Sequence, residues 1–185
     1  IVHTISTGGK FLRNNLDFLL RGSGAEARMF GLSLGSDKQL IDHHTRVDHL
    51  APNCISHEAY KGIFDDNSHG VFNGKIFVHL DAQKTQAYQQ NNNLVLSEKA
   101  IIDTKPQLEI FADDVKCSHG CTIGQLDEDA LFYLRARGIP IKEAKALLML
   151  AFANDAIADI QHPSLRAKLS ELIGLNLGVD MSSAF

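Results

Sequence analysis

The chain has 185 residues, a length that makes one ordinary domain with at most a small appendage and needs no disulfide or metal staple to bury a core. A net charge of −4 and a sequence pI near 6.1, with no lysine–arginine cluster, argue against a nucleic-acid binder. Three cysteines, an odd number, suit reduced cytoplasmic thiols rather than a secreted disulfide framework, and no apolar run approaches the roughly 20 residues that span a bilayer.

The chain opens on Ile1-Val2-His3 without an initiator methionine or a leader pattern, so a fragment lacking an upstream part is expected. Residues 1–124 are broken by turn clusters, among them Gly8-Gly9, Gly22-Ser23-Gly24, Asp65-Asp66-Asn67-Ser68 and Asn91-Asn92-Asn93. Between the turns run short alternating stretches. Ile76, Val78 and Leu80 alternate with Lys75, Phe77 and His79, and Leu108, Ile110 and Ala112 alternate with Gln107, Glu109 and Phe111. Period-2 alternation with strand starts every 10 to 15 residues or so, and no long helical period, predicts an all-β sandwich, barrel or solenoid. Ser68-His69-Gly70 echoes Ser118-His119-Gly120 at a spacing of 50 positions, which would suit two solenoid turns of about 25 residues each.

Of the nine histidines, His43, His44 and His49 cluster in a charged segment and read as surface or inter-coil hydrogen-bonding residues rather than ligands. His57, His69 and His79 fall one per strand, placed to stack across coils. Cys54 reads as a packed thiol, and the run Gln89-Gln90-Asn91-Asn92-Asn93 as a structural amide ladder. No Gly-rich loop with a following lysine is present, so P-loop ATP binding is not expected, and no Ser-His-Asp or paired-carboxylate constellation stands out.

The most informative segment is Cys117-Ser118-His119-Gly120-Cys121. On a strand its three metal-grade side chains share one face with Val115 and Ile123, and successive same-face positions lie roughly 6.5–7 Å apart. A thiolate and an imidazole can span that gap through a shared metal. On pattern alone a packed core strand is the first reading, since Val115 and Ile123 bracket the trio and free cysteine is a small hydrophobe, and the metal reading stands second.

From residue 125 the pattern turns helical. Asp127 caps a first helix with Glu128 and Asp129 in its first turn, Arg135 and Arg137 at its end, Gly138 as the stop and Pro140 opening the next. The second helix is expected over residues 141–160, its centre from Ala146 to Ala153 apolar all round; a third is expected over 164–175, stopping at Gly174 or Gly178. These helices either bury every apolar face among themselves and the β region or leave a docking surface for another protein.

Three blocks then resemble a known family: Asn91 to Leu96, Asp103 to Gly120, which contains Asp103-Thr104-Lys105-Pro106 and the Cys-Ser-His-Gly run, and Leu131-Phe132-Tyr133-Leu134-Arg135-Ala136-Arg137-Gly138-Ile139. With His44-Thr45-Arg46-Val47-Asp48-His49 upstream, they resemble the C-terminal half of the SufD branch of the SufB/SufD family of the SUF iron–sulfur cluster assembly system. The cysteine- and glutamate-bearing motifs of the SufB branch do not read cleanly here. The resemblance implies a mainly β fold, a right-handed parallel β-helix over residues 1–124, followed by a small α-helical domain over 125–185. It implies a non-catalytic scaffold subunit that pairs with a SufB-type subunit through the β-helix and docks a SufC-type ATPase through the helices, with Leu147, Leu150 and Phe152 as docking residues. His119 and Cys117 map onto the cluster-assembly interface and are the candidate metal ligands, toward a transient iron–sulfur cluster or iron shared with SufB; none is expected in the isolated chain. Cys121 stands where relatives commonly carry alanine and receives no role. A homodimer is expected in isolation, with no nucleic-acid or membrane partner. Two other readings remain: a purely structural dimerisation module, and a β-solenoid enzyme acting on polysaccharide, for which a chain without tryptophan and with three tyrosines offers little support.

Overall fold

The computed structural model describes residues 1–178; residues 179–185 of the expected helical domain lie outside the described residues. Nine strands follow in chain order: β1 Val2–Ser6, β2 Phe11–Leu20, β3 Glu26–Gly35, β4 Leu40–His49, β5 Ile55–Phe64, β6 His69–Val78, β7 Gln86–Val95, β8 Ile101–Ile110 and β9 Lys116–Gly124. Odd strands form one parallel sheet in the order β1-β3-β5-β7-β9, and even strands form another in the order β2-β4-β6-β8. The chain therefore winds as a β-helix in which each coil contributes one strand to each sheet. Pairing repeats every 27 to 32 residues, from Val2 to Met29 at one extreme and from His69 to Ile101 at the other. This corrects the 25-residue period. The two Ser-His-Gly tripeptides lie in different sheets, one opening β6 and the other in the middle of β9, so their echo has no structural counterpart.

Corners repeat as faithfully as strands. Gly24, Asn53 and Lys84 all have positive φ (75°, 61° and 59°) at the same corner of successive coils, where Asn53 N–H donates to the Gln83 carbonyl and Lys84 N–H to that of Asp114. At the opposite corner Asp37 and Asp66 repeat the conformation (φ 52° and 54°), and the Asp37 N–H donates to the Asp66 carboxylate at 3.0 Å. Asparagine and aspartate tolerate this left-handed region; lysine does so at a cost.

The narrow lumen is filled from both sheets. Met29, Val47, Tyr60, Phe72, Ile76 and Val78 form its apolar part, with Phe64 and Ile41 toward one edge. Large side chains fit because glycines face them. A Cβ on Gly31 would overlap the Tyr60 ring, one on Gly70 would overlap Phe64 and lie 2.6 Å from Ile102, and one on Gly74 would overlap the Gln89 amide.

Beyond Gly124 the chain forms α1 Glu128–Ala136, α2 Ile141–Asn154, a 3-10 turn Asp155–Ile157 and α3 Pro163–Asn176. Asp127 accepts from the N–H groups of Asp129 and Ala130, and Gly138 takes the left-handed stop (φ 87°). The second helix is shorter than its periodicity suggested, because the chain tightens to 3-10 geometry from Asp155. Gly174 lies buried within α3, and the helix ends before Gly178 (φ 69°). α2, the 3-10 turn and α3 fold back on the outer face of the odd sheet, and α1 packs against α2. Leu150, Ala153, Ala156, Ile157, Ile160 and Ile173 pack with Leu32, Leu34 and Ile63 in one cluster. Lys61 of β5 bridges the two layers: its ammonium donates to the Phe152 carbonyl at 3.2 Å, pairs with Asp155 at 2.8 Å and sits over the Phe152 ring.

Two substitutions separate lumen packing from corner strain. Gly70→Ala should lower unfolding free energy by about 1–3 kcal/mol through overpacking, whereas Lys84→Gly should raise it by up to about 1 kcal/mol by relieving the left-handed residue. Urea titration of both variants against the parent chain checks the opposite signs.

Candidate functional site at the open end of the coil

The register of β9 on β7 places the site. Cys117 pairs with Ala87, His119 with Gln89 and Cys121 with Asn91, and the β7 partners are all buried lumen residues. The three donors therefore continue three inward columns: Ala27-Ser56-Ala87-Cys117, Met29-Glu58-Gln89-His119 and Gly31-Tyr60-Asn91-Cys121. β9 is the last strand of its sheet, so no further coil covers them. Cys117 is half-buried, while His119 and Cys121 are exposed. A core pattern has been carried to a place where the core ends. Burial raises the Cys117 thiol above its ordinary pKa, opposed by a hydrogen bond to the Ala87 backbone, so a soft metal would have to displace its proton. Thiol, imidazole and thiol on one strand face suit iron or sulfide chemistry. Among the described residues no group of three or more His, Cys, Asp and Glu side chains is arranged to hold a metal ion, so these donors do not close a ligand set alone.

The free edges at this end differ. β8 carries Pro106, which has no N–H to offer, together with Asp103, Lys105 and Glu109, the features that blunt an edge against pairing. β9 has no proline, carries only Lys116 as a charge, and includes two glycines, Gly120 and Gly124. Of the two edges, β9 is the one open to strand addition.

Below the site the lumen is polar. Glu58 is 1% exposed and accepts from the Gln89 amide at 2.6 Å; burial raises its carboxyl pKa, with Thr45 and Gln89 opposing. Asn93 donates to its strand neighbour Asn91 at 2.6 Å, Asn91 donates to the Tyr60 carbonyl of the preceding coil, and Asn92 accepts from Thr122 of the next, so the amide run helps to cross-link coils. His43 and His49 are not surface residues: both lie in the lumen, His43 bonded to Ser6 at 3.1 Å and His49 to Ser56 at 2.9 Å. Desolvation lowers both rings to about 4, against the opposing charges of Asp42 and Asp48. His44 faces outward and meets Asp42 at 2.9 Å. The expected stacking across coils is found for His57, whose ring lies against Phe30 of the preceding coil with His3 on the other side, but not for the other two: His69 pairs with Asp103, and His79 lies against Phe77 beyond the end of β6. Cys54 is fully buried and donates to the Gly22 carbonyl.

The structure divides the three docking residues. Leu150 is buried in the cluster that α2 shares with β3 and β5 and offers no surface; Phe152 is half-buried under Lys61; Leu147 is 39% exposed. α1 has no buried residue and leaves Phe132 and Tyr133 exposed, 73% and 57%. These two residues belong to the sequence block that carried the resemblance, but helical periodicity alone did not single them out.

A parallel two-sheet β-helix that ends in Cys-x-His-x-Cys and is backed by three helices defines the class of protein. Residues 1–152 match the family model described as SUF system FeS cluster assembly, SufBD core domain, and the chain belongs to that family. It is 38% identical over 175 residues to the iron–sulfur cluster assembly protein SufD of Escherichia coli, covering 95% of this chain and 41% of that protein. It is 39% identical over 169 residues to a SufBD family protein of Synechocystis (91% and 37% covered) and 36% over 163 residues to a chloroplastic protein of Arabidopsis thaliana (88% and 34%). The chain thus spans less than half the length of these curated relatives. No helix among the described residues is long and apolar enough to cross a membrane.

The buried histidines predict an acid limb in stability. Both take up protons more readily when unfolded, so their contribution is complete above about pH 6.5, falls as pH drops toward 4 and then levels off, by up to about 3 kcal/mol per ring. Glu58 acts in the opposite sense: its raised pKa contributes most below the ordinary carboxylate range, and that contribution is lost as pH rises. His49→Gln should flatten the acid limb and Glu58→Gln should steepen it, as read from urea titrations across that window.

Proposed function

We propose that this chain is the core and tail of a non-catalytic scaffold subunit in SUF iron–sulfur cluster assembly. The observation that carries the reading is His119 standing exposed on an unpaired strand edge, flanked by Cys117 and Cys121 on the same face. A SufB-type subunit adds its strand to the β9 edge and supplies the ligands that this chain lacks. The nascent cluster, or iron, is cargo shared across that junction, with His119 and Cys117 as this chain's donors. Two or three ligands per chain cannot close the four-ligand set of a stable cluster, so the cargo stays transferable. A SufC-type ATPase docks on the helices, where Leu147, Phe132 and Tyr133 are exposed. Three free cysteines favour a reducing compartment such as the cytoplasm. Without SufB the same edge pairs two copies of this chain.

The polysaccharide-enzyme reading has little to recommend it. The cavity of about 740 Å³ at one corner contains Asp37 and Asp66, but Asp66 is engaged in holding the preceding coil's turn.

In the reconstituted full-length complex, His119→Ala should lower cluster yield by roughly tenfold or more without loss of fold; unchanged anaerobic reconstitution, followed by absorbance, would sink the role. Leu147→Asp should weaken ATPase binding in titration calorimetry by about 1–3 kcal/mol while moving stability by less than ~0.5 kcal/mol. Leu150→Ala should instead cost about 2–5 kcal/mol of stability, since that side chain is packed on the β-helix.

A further inference from the structure

The column beneath His119 contains more chemistry than packing asks for. Between Met29 and His119 it places Glu58 and Gln89, each 1% exposed. Burying a carboxyl and an amide where leucines would fill the same volume is costly unless their polar atoms are engaged. One contact is made: Gln89 Nε2 donates to Glu58 Oε2 at 2.6 Å. Gln89 Oε1 is buried without a partner. The amide is held across the lumen against Gly74, where any Cβ would overlap Nε2, so it has little room to move aside.

An amide's oxygen and nitrogen diverge from a shared carbon. With the nitrogen committed to Glu58 on one side, the oxygen is sent to the other, and the next inward residue there is His119. A neutral imidazole has one N–H and one bare nitrogen. In histidines that serve as ligands, what the N–H donates to decides which nitrogen is left for the metal.

We propose that Gln89, turned by Glu58, is a positioning residue for His119: Gln89 Oε1 accepts the imidazole N–H when the exposed ring turns inward, fixing one tautomer with its bare nitrogen toward the open end of the coil. Its functional weight rests on the reading of His119 given above; the hydrogen bond itself does not. Glu58 acts through Gln89. Its burial favours the neutral acid, which leaves Oε2 free to accept without placing a net charge in the lumen.

The test uses the full-length protein carrying this chain, ¹⁵N-labelled at histidine, with the His119 signals assigned by their loss in His119→Asn. Long-range ¹H–¹⁵N spectra should show one protonated and one bare ring nitrogen at His119, with a slowly exchanging ring proton. Gln89→Met should average the two nitrogens, and Gln89→Glu, which keeps an acceptor oxygen, should retain the parent pattern. Cluster yield in the reconstituted complex should fall several-fold in Gln89→Met and recover in Gln89→Glu. An averaged, fast-exchanging pair in the parent protein overturns the proposal without any variant having to fold, and so does a ring pattern unchanged by Gln89→Met. A ring pattern that changes while cluster yield does not would keep the hydrogen bond and overturn the role of His119 instead.

Discussion

Parallel, in-register stacking is the constraint on which everything else depends. A parallel ladder places each residue directly over one residue of the coil below, so a side chain's inward or outward direction is inherited from coil to coil. β9 inherits the lumen phase of β7, which turns Cys117, His119 and Cys121 into the last members of three buried columns. A one-residue slip would send all three to the outer face and bring Lys116, Ser118 and Thr122 into the lumen. The placement of these three donors at the open end thus depends on hydrogen bonds made along the whole length of the coil.

That inheritance also explains the polarity of the interior. Ser56, Glu58, Gln89, Asn91 and Asn93 occupy inward positions; Gln89 donates to Glu58 of the preceding coil, Asn91 to the Tyr60 carbonyl and Asn93 to its strand neighbour Asn91, while one oxygen each of Glu58 and Gln89 is left without a partner. A two-sheet coil is too thin to offer each strand a purely apolar partner, and cross-coil hydrogen bonds take over part of the cohesion. Glycines opposite Tyr60, Phe64 and Gln89 complete the fit by leaving bare backbone where a side chain would not.

Much of the fold was legible because it rests on local signals. Alternation marked the strands, left-handed turn residues marked several corners, and Asp127, Gly138 and Pro140 bounded the helices; Asn91-Asn92-Asn93, read as a turn cluster, instead lies within β7, where inward Asn91 and Asn93 form part of the lumen. The shared face of Cys117, His119 and Cys121 was also readable, since it follows from period 2 alone. The phase of alternation was harder. In β5, Ile55 and Ile63 face outward and Glu58 faces inward, the reverse of a simple hydrophobic rule. Ile63 is buried nevertheless, because helices cover its end of the outer face, and that cover is a tertiary fact with no local trace. Of the two places open to His43 and His49, the surface and an inter-coil hydrogen bond, the second holds, and the choice needed the fold: a histidine among aspartates and an arginine looks solvated until the neighbouring coils are stacked on it. Coil length eluded the sequence because corners of unequal size stretch the repeat from 27 to 32 residues, which blurs any fixed period.

Lys61 gives the helical tail a mechanical consequence. Its ammonium is tied to both a carbonyl and a carboxylate of the tail, while its backbone is locked into β5, and its side chain is only 16% exposed. Displacing the end of α2 from the coil would therefore have to break both contacts and lift the Phe152 ring off the ammonium. Lys61 thus fastens the tail to the same strand that carries Glu58, two coils below the imidazole at the open end.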